Sequence, residues 1–186
     1  MRASDGKITE FDAPSASGGT VPVSINAGGD IAGFYVDTDH VDQAFVRTNN
    51  GSIVEFNVLD SWTSVGGINE VGDIAGFYFD GNTGLYHGFV RASNGKMTTF
   101  EAPSAGKGYL QGTVALDINT AGSVTGYYVD SKNIIHGFVR ASNGVITDFD
   151  VPGTILTSPY AINTAGDITG YCIDANNVHQ GFMRKP

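Results

Sequence analysis

The sequence predicts an all-β fold, a four-bladed propeller of four-stranded antiparallel blades, on three observations. A passage opening on Ile-Asn recurs at Ile25-Asn26, Ile68-Asn69, Ile118-Asn119 and Ile162-Asn163, in steps of 43, 50 and 44 residues. Glycine is over-represented, at 26 of 186 residues, which suits many short strands joined by tight turns. No segment carries an apolar stripe at helical spacing. Units of about 40 to 50 residues holding four strands each are the mark of propeller blades.

Each element follows from local chemistry. Strand a ends on the Ile-Asn anchor, and a tight loop (NAGGD, NEVGD, NTAGS or NTAGD) reverses the chain. In strand b, Ile31, Gly33, Tyr35 and Asp37 alternate with Ala32, Phe34 and Val36, a period of two. Strand c is the GFVRA run, and the octets Gly88 to Gly95 and Gly137 to Gly144 are identical. Asn50-Gly51, Asn94-Gly95 and Asn143-Gly144 then supply a turn that needs positive φ. Strand d follows at Ser52 to Val58, Lys96 to Ala102 and Val145 to Val151. The blades are expected at 21–58, 64–102, 113–151 and 158–184, the last completed by 7–13. The fourth copy carries no strand d after Arg184, and Lys7 to Pro14 reads as that missing piece. The N-terminal strand is therefore expected to complete the last blade and close the ring, leaving no bare edge.

The pattern I-N-x-x-G-x-[IV]-x-G-x-Y-x-D, then H-G-F-V-R, then N-G-x-[IM]-T-x-F-[DE]-x-P resembles the extracellular HAF-repeat family of bacterial proteins. The resemblance covers essentially the whole chain in four copies. It departs at the triplet, which reads Gln43-Ala44-Phe45 and Gln180-Gly181-Phe182 beside His87-Gly88-Phe89 and His136-Gly137-Phe138. It implies a repeat fold and an extracellular or periplasmic location, and it implies no activity and no catalytic residue.

Composition narrows the partners. The formal net charge is −9, with ten Lys and Arg, which disfavours phosphate backbones and anionic lipid surfaces. No apolar run reaches membrane length, and the opening residues are too polar for a signal peptide. Cys172 is the sole cysteine and sits mid-strand, so it reads as a buried structural thiol.

Most repeated side chains read as scaffold. Ile and Phe should fill the space between blades, and Gly33, Gly76, Gly126 and Gly170 should allow close packing on strand b. Asn26, Asn69, Asn119 and Asn163 suit Asx turns, and Arg47, Arg91, Arg140 and Arg184 are expected to pair with strand carboxylates. Strand b ends in Asp37, Asp80, Asp130 or Asp174, and strand c opens with Gln43, His87, His136 or Gln180. Acid and imidazole then face each other across a hairpin, so Asp80–His87 and Asp130–His136 are candidate catalytic pairs. A carboxylate–His bond also simply staples a hairpin, and Gln makes the neutral version. Asp37, Asp39 and Asp42 offer oxygen ligands that suit a hard cation such as Ca²⁺, although ordinary Asx turns explain the same letters. His40 and His179 have no second His at ligand spacing, which rejects a Zn²⁺ site.

Function should lie where the repeat breaks, in the d-to-a connections, which share one face with the b-to-c loops. Topology thus gathers Trp62, Tyr109, Gln111 and Tyr160 at one mouth, with Trp62 read as a loop residue. Asp117 precedes Ile-Asn where the other copies have Ser24, Gly67 and Ala161, and it is expected to point into the channel. The leading reading is a binding module for a small polar ligand or saccharide, since aromatic platforms beside Asp, Asn and Gln suit sugar faces and hydroxyls. The alternatives are an acid–base enzyme of hydrolase, lyase or isomerase type, or a protein-interaction propeller. None of the three requires a cofactor.

Overall fold

The computed structural model describes residue 6 and residues 8–186. Every regular element among them is a β-strand, and these fall into four successive up-and-down units. The first holds β1 (Gly19–Ile25), β2 (Ile31–Val36), β3 (Asp42–Arg47) and β4 (Ile53–Phe56). The second holds β5 (Trp62–Ile68), β6 (Ile74–Asp80), β7 (Leu85–Arg91) and β8 (Met97–Phe100). The third holds β9 (Gly112–Ile118), β10 (Val124–Val129), β11 (Ile135–Arg140) and β12 (Ile146–Phe149). The fourth has three strands, β13 (Thr154–Ile162), β14 (Ile168–Asp174) and β15 (His179–Arg184). Strands within a unit pair antiparallel, and one parallel bridge, Tyr86 to Gly112, joins the second and third units into an eight-stranded sheet. The Asn-Gly turns form as their chemistry requires, with Gly51, Gly95 and Gly144 at φ of 96°, 89° and 93°.

The inner strand of every unit carries a bulge, with Val23, Gly66, Leu116 and Tyr160 as the extra residues. These four share no side-chain type, so the repeat gave no sign of them. A bulge bends its strand and raises the local twist, which turns the strand ends toward one another.

The units stack face to face through the same core each time. Ala32, Ala44 and Phe56 of the first unit meet Val65, Ile68, Ile74, Tyr78 and Phe89 of the second. Ala75 and Phe100 of the second meet Ala115, Ile118, Val124, Tyr128 and Phe138 of the third. Each repeated Arg lies over the outer-strand Phe of the preceding segment: Arg47 over Phe11, Arg91 over Phe56, Arg140 over Phe100 and Arg184 over Phe149, at 4.7–4.9 Å. This corrects the expected pairing with carboxylates. Laid on a ring, the guanidinium buries its stem and flat face together and needs no buried counter-charge.

The anchor asparagines do two jobs. Their Oδ1 atoms accept the amides of Asp30, Asp73, Ser123 and Asp167 at 2.9–3.0 Å, closing the expected turns. Their Nδ2 atoms donate onward to the next unit, from Asn26 to the Asn69 carbonyl, from Asn69 to that of Asn119, and from Asn119 to that of Asn163, at 3.0–3.1 Å.

The expected closed ring of four blades is not what forms. The relay stops at Asn163, whose Nδ2 turns back to Asp167 Oδ2 at 3.1 Å. Ile25 is 57% exposed, whereas its counterparts Ile68, Ile118 and Ile162 are 6%, 4% and 6% exposed. β15 pairs with β14 on one edge and with no named strand on the other among the described residues. Of the expected closing strand 7–13, residue 7 lies outside the described residues; Phe11 and Ala13 pack on Ile31, Tyr35 and Phe45 of the first unit. They sit as Phe56 and Val58 sit on the second unit.

Candidate functional site

The hairpin loops on one face are built by the strand-ending aspartates. Asp37 Oδ1 accepts the amides of Asp39 and Val41 at 2.9 and 3.0 Å, and Asp130 Oδ1 accepts those of Lys132 and Ile134 at 2.8 Å. Asp80 accepts the Asn82 amide and the Thr83 hydroxyl at 2.9 Å, and Asp174 repeats the pattern with Asn176 and Val178. These amide bonds, from Val41, Asn82 and Ile134 foremost, hold Asp37, Asp80 and Asp130 below the usual carboxylate range. Gln43 and Gln180 donate Nε2 to Asp37 and Asp174 Oδ2 at 3.2 Å, the neutral staple that the Gln substitutions suggested. Among the described residues no three His, Cys, Asp or Glu side chains gather as a metal-holding group, and the Asp37 carboxylate, beside Asp39 and Asp42, is engaged by its own loop.

His87 departs from the expected pairing, and His136 keeps its expected acid within reach while taking a second one. His87 Nδ1 bonds Glu101 on the outer edge of the same unit, so its partner is Glu101 and not Asp80. His136 Nδ1 bonds Asp150 Oδ2 at 2.8 Å, while its Nε2 lies 3.5 Å from Asp130 Oδ2. Each imidazole stacks on a buried tyrosine, His87 on Tyr78 at 4.8 Å and His136 on Tyr128 at 5.1 Å. The stack fixes the ring plane so that Nδ1 faces the outer strand, where the acid sits directly after the Phe of that strand. That acid was visible in the F-[DE]-x-P motif. The Tyr128 hydroxyl donates to Asp148 at 3.3 Å; burial, then the Asp148 charge, pushes the phenol up to about 12. A cavity of about 280 Å³ opens beside the His136–Asp150 pair, walled by Ile134, Thr154, Ile155 and Leu156.

A second feature is a band of aromatic rings across three units. Trp62 opens β5 rather than lying in a loop, because its backbone pairs with Phe79, and its ring meets Phe77 at 5.5 Å and Tyr86 at 6.5 Å. Phe79 joins Tyr86 at 5.1 Å to Tyr109 at 6.2 Å. On the fourth unit Tyr160, the bulge residue, stacks on Tyr171 at 5.7 Å, and Tyr171 stacks on His179 at 5.4 Å. Tyr127 of β10 lies between the two groups: burial raises its phenol first, and the neighbouring Tyr160, Tyr86 and Tyr171 add to that rise. Tyr109 and Tyr160 are 73% and 53% exposed, so the band presents open ring faces to solvent. The sequence singled out Trp62, Tyr109 and Tyr160 and missed Phe77, Phe79, Tyr86, Tyr127 and Tyr171. The signal was present, since the residue after the repeated strand-b Gly is aromatic in all four copies.

Two candidates serve the framework. Gln111 is buried; its Oε1 accepts the Gly108 amide at 2.8 Å and its Nε2 donates to Asn133 Oδ1 at 2.7 Å. It thereby fixes the connection that presents Tyr109. Asp117 does not point into a channel. Its Oδ1 accepts the Ile118 amide at 2.9 Å and its Oδ2 the Ile162 amide at 2.8 Å, and burial raises its carboxyl above the ordinary range. Cys172 is buried as expected and fills the place held by Tyr35, Tyr78 and Tyr128 in the other units.

Neither a family model nor a curated protein matches the chain. Solved structures do. The fold is similar to that of a streptogramin B lyase, at 16% identity and a TM-score of 0.59, over 100% of this chain and 61% of that one. It is also similar to the virginiamycin B lyase of Staphylococcus aureus, at 16% identity and a TM-score of 0.57, over 97% and 61% of the two chains. A catalytically inactive His-to-Ala variant of that lyase, solved with quinupristin, matches at 17% identity and a TM-score of 0.57, over the same shares. The chain spans about three-fifths of the length of these structures. What it shares with them is the fold, an all-β propeller-like arrangement of stacked antiparallel units.

Proposed function

We propose that the chain is a ligand-binding module of propeller type whose aromatic band takes a small polar ligand, with a saccharide as the chemistry that fits best. The observation that carries this reading is the band itself, with Trp62, Phe77, Tyr86, Phe79 and Tyr109 in ring contact in one group and Tyr160, Tyr171 and His179 in the other. Open ring faces stack on the apolar face of a sugar, and phenol hydroxyls bond its edge. Rigid strands hold the rings, so little entropy is lost on binding. Isothermal titration against a panel of saccharides tests this. Binding lost in Tyr109→Ala and Tyr160→Ala, and retained in His136→Ala, is the expected pattern. The repeat's resemblance to the HAF family supports reading the module as exported.

A second reading rests on a different observation, the His136–Asp150 pair beside its cavity. In an acid–base enzyme of lyase type, His136 would move the proton, Asp150 would fix the ring through Nδ1, and Asp130 would face Nε2. The lyase structures that share the fold favour this as the alternative. Lyase activity on quinupristin, the molecule in one of those structures, abolished by His136→Ala and untouched by Tyr160→Ala, would replace the first reading with this one.

A further inference from the structure

Two leucines hold a backbone conformation that leucine ordinarily avoids, and neither is buried. Leu59 and Asp60 are the central residues of a turn closed by the Ser61 amide on the Val58 carbonyl at 3.0 Å, and their φ angles are 53° and 52°. Leu110 is the third residue of a turn closed by the Gln111 amide on the Gly108 carbonyl at 3.0 Å, and its φ is 61°. Both leucine positions favour Gly or Asn, because a side chain crowds the backbone in the left-handed region. Among the described residues, the other non-glycine positions at positive φ hold His40, Asn133 and Asn177, polar types that this region tolerates. Leu59 is 78% exposed and Leu110 is 46% exposed, so little core packing offsets the strain.

Both turns lie in connections from an outer strand to the next inner strand, one between the first and second units and one between the second and third. Each is tied to the aromatic band. The Thr63 hydroxyl accepts the Val58 amide at 3.1 Å and donates to the Ser61 carbonyl at 2.8 Å, which fixes the first turn to β5 beside Trp62. The Leu110 amide donates to the Gly84 carbonyl at 2.7 Å, and a Cβ on Gly84 would lie 2.5 Å from the Tyr109 ring. The second turn is thus seated on the loop between β6 and β7. Rings join the two turns: Trp62 meets Tyr86, Tyr86 meets Phe79, and Phe79 meets Tyr109. Leu59 comes three residues before the first of these rings and Leu110 directly after the last.

We propose that the ligand of the band carries an aliphatic group beside its sugar ring, and that Leu59 and Leu110 take that group. The inference rests on the saccharide reading above and narrows its ligand. A turn built for Gly or Asn that keeps an exposed leucine keeps it for what the side chain meets, since the fold alone would be served better without it. Charge decides the head group. Asp60 stands beside Leu59 and the chain carries a net −9, which favours a neutral head over the carboxylate of a fatty acid. The chemical class is therefore a neutral alkyl glycoside, its ring on the span from Trp62 to Tyr109 and its chain on the leucines.

The test is isothermal titration of the whole chain with methyl glycosides and with the octyl glycosides of the same sugars, below micelle concentration. An octyl glycoside should bind at least about tenfold more tightly than its methyl counterpart, the gain expected from burying two methylenes or more. Leu59→Asn and Leu110→Gly suit their turns, so each should hold or raise the melting temperature. Each should also remove most of the octyl gain and leave the methyl affinity as it was. An octyl chain on a neutral oligo(ethylene glycol) head should bind more weakly than the octyl glycoside, and equal binding of the two would overturn the glycoside class. Equal affinity of octyl and methyl forms, or an octyl gain that survives both substitutions, would overturn the aliphatic subsite and leave the saccharide reading standing. A lower melting temperature in both variants would assign the leucines to the fold and overturn the subsite as well. Silence from both forms of every sugar would overturn the saccharide reading, and this inference with it.

Discussion

A Cβ on Gly67 would lie 2.4 Å from Oδ1 of Asp117, so the missing side chain in one unit makes room for the extra carboxylate in the next. The first unit shows the simpler arrangement, in which the Ser24 hydroxyl accepts the Ile68 amide at 3.3 Å. Gly67 has no such group for the Ile118 amide, and Asp117 serves both that amide and the Ile162 amide. Two breaks in the repeat are thus one compensated change.

Gly67→Ala should therefore destabilise by about 1–3 kcal/mol, the usual cost of overpacking. In the Asp117→Ala background the same substitution should cost much less. Chemical denaturation of the four proteins of that cycle measures the coupling; additive effects would show that the two positions do not touch.

The asparagine relay predicts a graded cost. Asn69 is buried and bonds both its loop and the next unit, so Asn69→Ala should cost about 1–3 kcal/mol through groups left unpaired. Asn163 is exposed and its side chain bonds only its own loop, so Asn163→Ala should cost less. Equal melting-temperature losses would contradict the relay.

Asp130 sets an acid-side limit on stability. Its folded carboxyl is held below the ordinary range by the Ile134 and Lys132 amides, so its stabilisation is complete above that range and fades as pH falls through it. Melting temperature should drop on acidification below about pH 4, and Asp130→Asn should show a shallower drop. Parallel curves for the two proteins would show that this carboxylate is not held as described.

Arg91 stacked on Phe56 should contribute about 0.5–2 kcal/mol as a partly buried cation over a ring. Arg91→Met keeps the apolar stem and should lose only the ring term, whereas Arg91→Ala should lose both. Equal losses in urea denaturation would leave the ring contact without energetic weight.

The strands, turns and anchor asparagines were legible because alternation, Asn-Gly pairs and Asx chemistry are local. The blade-like stacking was legible from the repeat. The open arc was not, because the exposure of Ile25 and the end of the asparagine relay at Asn163 depend on how the end units are placed, which no local signal records. The arginines misled because charge suggested carboxylates, while burial placed each guanidinium on a ring of the preceding segment. At the site, Trp62, Tyr109 and Tyr160 were found as breaks in the repeat. Their partners Phe77, Phe79 and Tyr171 were hidden because they follow it and looked like core. The same bias assigned His87 to Asp80 across the hairpin when the stacked Tyr78 turns it toward Glu101.

Trp62 is the only tryptophan and lies in the aromatic band, so its fluorescence reports on the proposed site directly. Titrating saccharides into the unaltered chain should give a saturable change in Trp62 emission, weakened at least tenfold in apparent affinity by Tyr160→Ala and by Tyr109→Ala. Emission that stays unchanged across the panel, or a saturable change indifferent to both substitutions, would contradict a ligand site on this band.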